Sequence, residues 1–288
     1  MTDYYSKIRD NSSRRKFKSR LMLTLCILAA MLAILPLVYI FFYTTIQGAS
    51  SLNLAFFTEL PKPVGETGGG MANAIVGTLI LVGLGSVFGV PVGILAGIYV
   101  TEYSKNFFAN VVKFVTDVLS GIPSIIIGIF AYGLIVIPMQ RFSAYAGGFA
   151  LGLLMIPTVT RISEEMLKLV PHTIREAALA LGIPRWKTTL RIVLRTASGG
   201  IVTGILLAVA RAAGETAPLL FTSFGNSFWS STLDSPMASI PVQIFNYAIS
   251  PYDEWHGKAW AGAFVLISLV FIVSLLVRIA TRNKYSQN

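Results

Sequence analysis

What most limits the fold of this chain is a series of long apolar runs separated by short polar segments. About 20 predominantly apolar residues are needed for a helix to cross the hydrocarbon core of a bilayer. Six such runs lie at roughly 21–43, 74–100, 114–137, 147–159, 201–221 and 261–279. In lipid each spanning segment must satisfy its own backbone hydrogen bonds, and an apolar run of this length does so as an α-helix. The expected architecture is therefore an all-α membrane protein, a six-span polytopic helical bundle. Only 12% of residues are charged and 54% are hydrophobic, against about 25% charged in a soluble domain.

Basic residues set the expected orientation, because cytoplasmic flanks carry the excess of Lys and Arg. Lys7, Arg9, Arg14, Arg15, Lys16, Lys18 and Arg20 precede the first run, and Lys105 and Lys113 follow the second. Arg161, Lys168, Arg175, Arg185, Lys187, Arg191 and Arg195 lie around the fourth-to-fifth connection, and Arg282 and Lys284 close the chain. The opposite side holds only Lys62, Arg141 and Lys258. Both termini are expected in the cytoplasm, as an even number of crossings requires of a same-side pair. A basic segment before an apolar run also resembles a signal peptide, but the run at 21–43 exceeds the usual core of about 7–15 residues and is expected to be a retained first transmembrane helix after a basic tail at 1–20.

Several chemistries are excluded. No G-x-x-x-x-G-K-[ST] string is present, so the chain has no P-loop for ATP. His172 and His256 stand far apart without a metal-binding frame, and no zinc or other metal site is expected. No nucleophile–base arrangement is present either, so the chain is not expected to be an enzyme. The net charge of +10 is placed by topology and comes with no nucleic-acid-binding motif, so nucleic acid is not an expected partner. The single cysteine, Cys26, excludes an internal disulfide and is expected to be a buried, unreactive thiol.

Gly85, Gly89, Gly93 and Gly97 recur every fourth residue in the second run. Residues four apart share a helix face, and missing side chains let helices approach closely. This run is expected inside the bundle. The loops at 44–73 and 222–260 are long and rich in glycine, proline and aromatics, including Phe228, Trp229, Tyr247, Trp255 and Trp260. Two readings remain open for them, anchoring in the headgroup layer and docking of an external partner.

The stretch after the fourth run is the most informative. Strong helix formers at 174–181 are followed by Gly182, which can end a helix, and by Pro184, which suits the start of another. The pattern predicts two short helices meeting at a corner with Trp186 between basic residues. It reads either as a protein-docking knob or as a helix pair in the headgroup layer. In the fifth run, Arg211 and Glu215 lie four apart within apolar sequence, where charges normally pair or line a polar route. Pro218 follows and can kink the helix, as a hinge or as a shaper of a pore.

Glu176-Ala177-Ala178, with Gly182 after three intervening residues and then Ile192 and Leu194, resembles the EAA loop of the permease subunits of binding-protein-dependent ABC importers. The family pattern often ends in Leu-Pro, where this chain has Leu194-Arg195. Gly68-Gly69-Gly70-Met71 with Ala74-Ile75-Val76-Gly77-Thr78, and the string from Ala210 to Leu219, are similar to phosphate permeases. The segment from Pro236 to Ile244 resembles the PstA-type subunit rather than its PstC-type partner.

The resemblance implies a type I ABC importer permease. Its core would span 74–279 with the coupling loop at 164–195, leaving a cytoplasmic tail at 280–288. Glu176, Ala177, Ala178, Gly182, Pro184, Arg185 and Trp186 would engage an ATPase. Arg211, Glu215 and Thr216 would line the translocation pathway, while Gly85, Gly89, Gly93, Gly97 and Pro218 would serve helix packing or a hinge. Implied partners are a PstC-type second permease chain, a PstB-type ATPase pair that binds the ATP and Mg, a PstS-type external phosphate-binding protein, phosphate and membrane lipid. No cofactor is expected on this chain.

Overall fold

The computed structural model describes residues 2–66 and 68–282. Met1, Thr67 and 283–288, and with them Lys284 and most of the tail at 280–288, lie outside the described residues, as do the side chains of Lys7, Arg9 and Arg282. The described residues form helices and no strand. The chain divides into an N-terminal unit, Met1–Gln47, and a second unit, Gly48–Asn288.

The N-terminal unit is one helix, α1 (Thr2–Gly48). At 1.5 Å per residue it extends about 70 Å, more than the roughly 30 Å hydrocarbon core. The basic segment expected as a tail thus continues the helix of the apolar run. Its described side chains through the apolar stretch are exposed on every face, Cys26 among them.

The second unit begins with a 3-10 turn (Ala49–Ser51) and a short helix, α2 (Leu54–Thr58), whose Asn53 cap accepts a hydrogen bond from the Phe56 amide at 2.9 Å. A glycine loop leads into α3 (Ala72–Glu102). Gly70 there is in close approach: a Cβ would collide with the Ala55 carbonyl oxygen. The chain then forms α4 (Phe107–Gly121), α5 (Ser124–Ala131), a π-helical turn (Tyr132–Val136) and α6 (Ile137–Met139). α7 (Ala144–Lys168) follows, capped by Ser143. Next come α8 (His172–Ala180), α9 (Arg185–Lys187), a second π-helical turn (Thr188–Val193) and α10 (Leu194–Ala213). The last elements are α11 (Ala217–Thr222), α12 (Ile240–Ala248) and α13 (Asp253–Arg282).

The central contact is α3 on α7. A Cβ on Gly85 would meet Leu151 and Gly148, one on Gly89 would meet Gly152 and Met155, one on Gly93 would meet Val159, and one on Gly97 would meet Ser163. The partner numbers rise with the glycine numbers, so the two helices run parallel. The opposite face of α3 is open, with Leu79, Val87 and Leu95 exposed. The glycine face is thus buried in the chain while the face bearing Leu79, Val87 and Leu95 remains available to lipid or another chain. α10 also packs on α7, through Gly200 against Met166 and Gly204 against Ile162, and touches α3 beside it. The core runs along these helices through Leu81, Leu151, Met155, Val159, Ala208 and Leu219.

Parallel α3 and α7 require the chain between them to cross the membrane once. That crossing is a broken span: α4 and the helix Ser124–Met139 meet at 107°. Among the described residues five helices are long and apolar enough to cross, and the bent pair makes up to six. The single span expected at 114–137 is interrupted because Pro123 disfavours helical geometry at the preceding residue and donates no amide hydrogen; Ile122 accordingly adopts an extended conformation. The run at 147–159 is extended at its C-terminal end by polar turns bearing Thr160, Ser163, Glu164 and Lys168, which apolar periodicity does not register.

Candidate functional site

The α8–α9 corner is built by its backbone. Gly182 adopts φ +75°, and a Cβ there would meet nothing within 4 Å, so glycine answers a conformational demand rather than a steric one. α8 ends at Ala180, the chain turns through Gly182, and Pro184 precedes α9. Ala178 is buried, while Glu176, Ala177, Pro184 and Arg185 are exposed. The corner also presents Leu181 at 80% and Trp186 at 59% exposure, with Lys187 over the indole at 5.3 Å from its centroid. Two large apolar side chains so exposed beside charges suit either of the readings left open by the sequence, a protein partner or the headgroup layer. A cleft of about 540 Å³ runs beneath it, lined by Glu102, His172, Arg175, Glu176, Trp186 and Leu190 among others.

The charges of the fifth run lie at a break, Arg211 before it and Glu215 within it. α10 ends at Ala213, and Gly214, Glu215 and Thr216 separate it from α11. The expected continuous span at 201–221 is therefore two helices, and Pro218 occupies the first turn of the second, where its missing amide hydrogen costs nothing. Arg211 Nε stands 3.7 Å from Glu215 Oε1, an ion pair too long for a hydrogen bond. The Arg211 side chain is 61% exposed and that of Glu215 only 16%. Arg211 also sits in the last turn of α10, where the helix dipole favours a cation. The result is a guanidinium on an open face, held electrostatically from below, with most of its donors unengaged. Beside the break, Gly128 of α5 lies against Pro218; a Cβ would fall 2.6 Å from the Pro218 Cα. The broken third span thus braces the broken fifth, a contact without any local sequence signal.

At the end of the molecule carrying the 44–73 and 222–260 loops, a cleft of about 600 Å³ is lined by Pro61, Lys62, Phe224, Phe228, Gln243 and Trp255 among others. Phe224 has φ +61° and stacks on Phe142 at 4.8 Å, and Tyr247 faces Trp255 at 4.8 Å. Arg141 and Asp234 pair at 2.9 Å. A hydrogen bond involving the Thr232 side chain, then the Arg141 charge, hold the Asp234 carboxyl below the usual range. The loops fold back on the spans: Asn73 Nδ2 donates to the Asn226 carbonyl at 2.6 Å, and the Ile240 amide donates to Thr78 Oγ1 at 2.8 Å.

Two charge clusters were not legible in the sequence. Glu164, largely buried on α7, accepts a hydrogen bond from Lys168 and lies 3.9 Å from Lys113 of α4. Arg175 reaches Glu102, 73 positions away. The Glu164–Lys168 spacing of four is visible on a helix, but neither long-range partner carries a local signal. Among the described residues no group of His, Cys, Asp and Glu could hold a metal ion.

Residues 89–284 match the family described as binding-protein-dependent transport system inner membrane component. The chain is 45% identical over 277 residues to a phosphate transport system permease protein PstA of Yersinia pestis, covering 96% of this chain and 94% of that one. It is 42% identical over 271 residues to the PstA protein of Haemophilus influenzae, covering 94% and 96%. Its fold is similar to a chain of a bacterial ABC transporter involved in import of the acidic polysaccharide alginate, with TM-score 0.60 and 16% identity over 93% of this chain and 98% of that one.

Proposed function

The chain belongs to the binding-protein-dependent transport system inner membrane components, and from that membership we propose that it is the PstA-type permease subunit of an ATP-driven phosphate importer in the inner membrane. It is a multi-pass membrane protein and a non-catalytic subunit, since hydrolysis in such systems belongs to a separate ATPase. The observation that carries the choice of phosphate is the 45% identity across 96% of the chain to a protein named for phosphate transport.

In this reading the chain pairs with a distinct PstC-type permease, and the two together form the pathway. A PstS-type binding protein delivers phosphate to the aromatic-lined loops. A PstB-type ATPase pair, which holds the ATP and Mg, engages Glu176, Ala177, Ala178, Gly182, Pro184, Arg185 and Trp186 from the cytoplasm, where both termini also lie. This chain holds no cofactor of its own. Lipid covers the exposed apolar helix faces, and nucleic acid plays no part. Arg211 faces the pathway with Glu215 and Thr216: a guanidinium offers its donors to the oxygens of a passing anion, while Glu215 keeps the attraction weak enough for release.

Labelled phosphate uptake into vesicles carrying the assembled complex tests this. Uptake should require ATP and be insensitive to excess sulfate or molybdate. Inhibition by either would reassign the cargo to another oxyanion, and uptake without ATP would remove the chain from ATP-driven transport. Glu176→Arg should leave the complex assembled but raise ATP hydrolysed per phosphate carried by about tenfold, a shift in the usual range of coupling between sites. An unchanged ratio would overturn the assignment of the α8–α9 corner.

A further inference from the structure

Arg175 precedes the exposed Glu176 on α8 but turns the opposite way. Its Nη1 donates to Glu102 Oε1 at 2.6 Å and its Nη2 donates to the Leu167 carbonyl at 2.8 Å. The two charged side chains are only 15% and 22% exposed, so the pair is largely shielded from solvent screening. Glu102 is the last residue of α3, and Leu167 lies in the last turn of α7. One guanidinium therefore holds the C-terminal ends of the two helices that the glycine seam already joins. Both ends carry the negative pole of a helix dipole, which favours a cation between them. Below it, Leu167, Val170 and Val193 form a buried cluster against which Ile98 of α3 and Ile174 of α8 pack. On the other side, α9 reaches α10 only through the π-helical turn Thr188–Val193, a rare element that occurs frequently at functional sites.

We propose that Arg175 is a positioning residue that fastens the coupling loop to α3 and α7, so that displacement of α8 moves those two spans as one body while α10 follows through the π-helical turn. A two-point contact from one planar guanidinium resists shear because a shift of the group weakens both hydrogen bonds together, and a truncated partner leaves a shielded charge unpaired. The inference rests on the reading of the α8–α9 corner as the ATPase contact.

The test uses the whole complex, permease chains and ATPase pair, in lipid nanodiscs. In otherwise unaltered protein on a Cys26→Ala background, spin labels at Lys105→Cys and Thr173→Cys report the distance from the end of α3 to α8. It should stay constant between nucleotide-free and ATP-trapped states. A change larger than the roughly 2 Å of ordinary helix shifts would overturn the proposal. Arg175→Gln and Glu102→Gln should each raise ATP hydrolysed per phosphate carried by about tenfold, and the double variant should be no worse than either single one, as expected of a shared contact. Arg175→Lys, which keeps the charge but not the two-point grip, should fall between. A wild-type ratio in assembled variants would also overturn it. Cross-linking from Trp186→Cys to the ATPase separates the two levels. Cross-links with an unchanged ratio sink only the role of Arg175, whereas absent cross-links sink the docking reading beneath it.

Discussion

Arg211→Ala should lower phosphate uptake by about 100-fold, the scale of removing one partner from a charged contact, in complexes that still assemble. Separation of transport from folding is expected because the Arg211 side chain is 61% exposed in the chain. Its loss opens no core cavity of the kind that destabilises a fold. The variant also leaves Glu215 without its counter-charge, adding repulsion for an anion to the loss of attraction. Arg211→Lys keeps the charge but presents a point rather than a planar fork, and should retain an intermediate rate. Uptake by Arg211→Ala at the wild-type rate, with assembly verified by size-exclusion chromatography, would remove Arg211 from the pathway.

Gly89→Leu should act on the fold. A Cβ at Gly89 would lie 2.6 Å from the Gly152 carbonyl oxygen and 3.0 Å from its Cα. Those are backbone atoms of α7, and they move only if the helices part. Overpacking usually costs about 1–3 kcal/mol, and a clash with backbone at the centre of the longest interface belongs at or above the top of that range. The thermal midpoint in detergent should fall by about 5–10 °C, with less monodisperse protein recovered. Gly83→Leu is the matched control, since a Cβ there meets nothing within 4 Å. Equal behaviour of the two variants would mean that α3 and α7 do not approach as described.

Much of this architecture is written locally. The apolar runs announce the helices, and the four-residue glycine spacing marks one face of α3; that face lies on α7. Gly182 announces its turn because glycine takes φ +75° without the Cβ penalty that most residues meet there. What the sequence conceals is of two kinds. Breaks inside apolar runs are invisible to hydropathy. Pro123 and the stretch Gly214–Glu215–Thr216 interrupt the third and fifth spans, yet both runs are apolar enough to read as continuous. Contacts between distant elements are the other kind. Nothing near Glu102 or Arg175 names the other, and Gly128 gives no hint of Pro218, because a packing partner is chosen by the tertiary arrangement and not by neighbours in the chain.

The two π-helical turns bear on how helical faces are counted. A π-helical turn holds one residue more than an α-helical one, and each extra residue advances the angular phase by about 100°. Thr188–Val193 stands between α9 and α10, so a helical wheel drawn at constant pitch from the α8–α9 corner to Arg211 misplaces the guanidinium by about 100°. The direction in which Arg211 faces is thus set in part 18 or more residues upstream, by the winding of Thr188–Val193. Angular phase, as much as residue identity, is what this stretch of chain has to preserve.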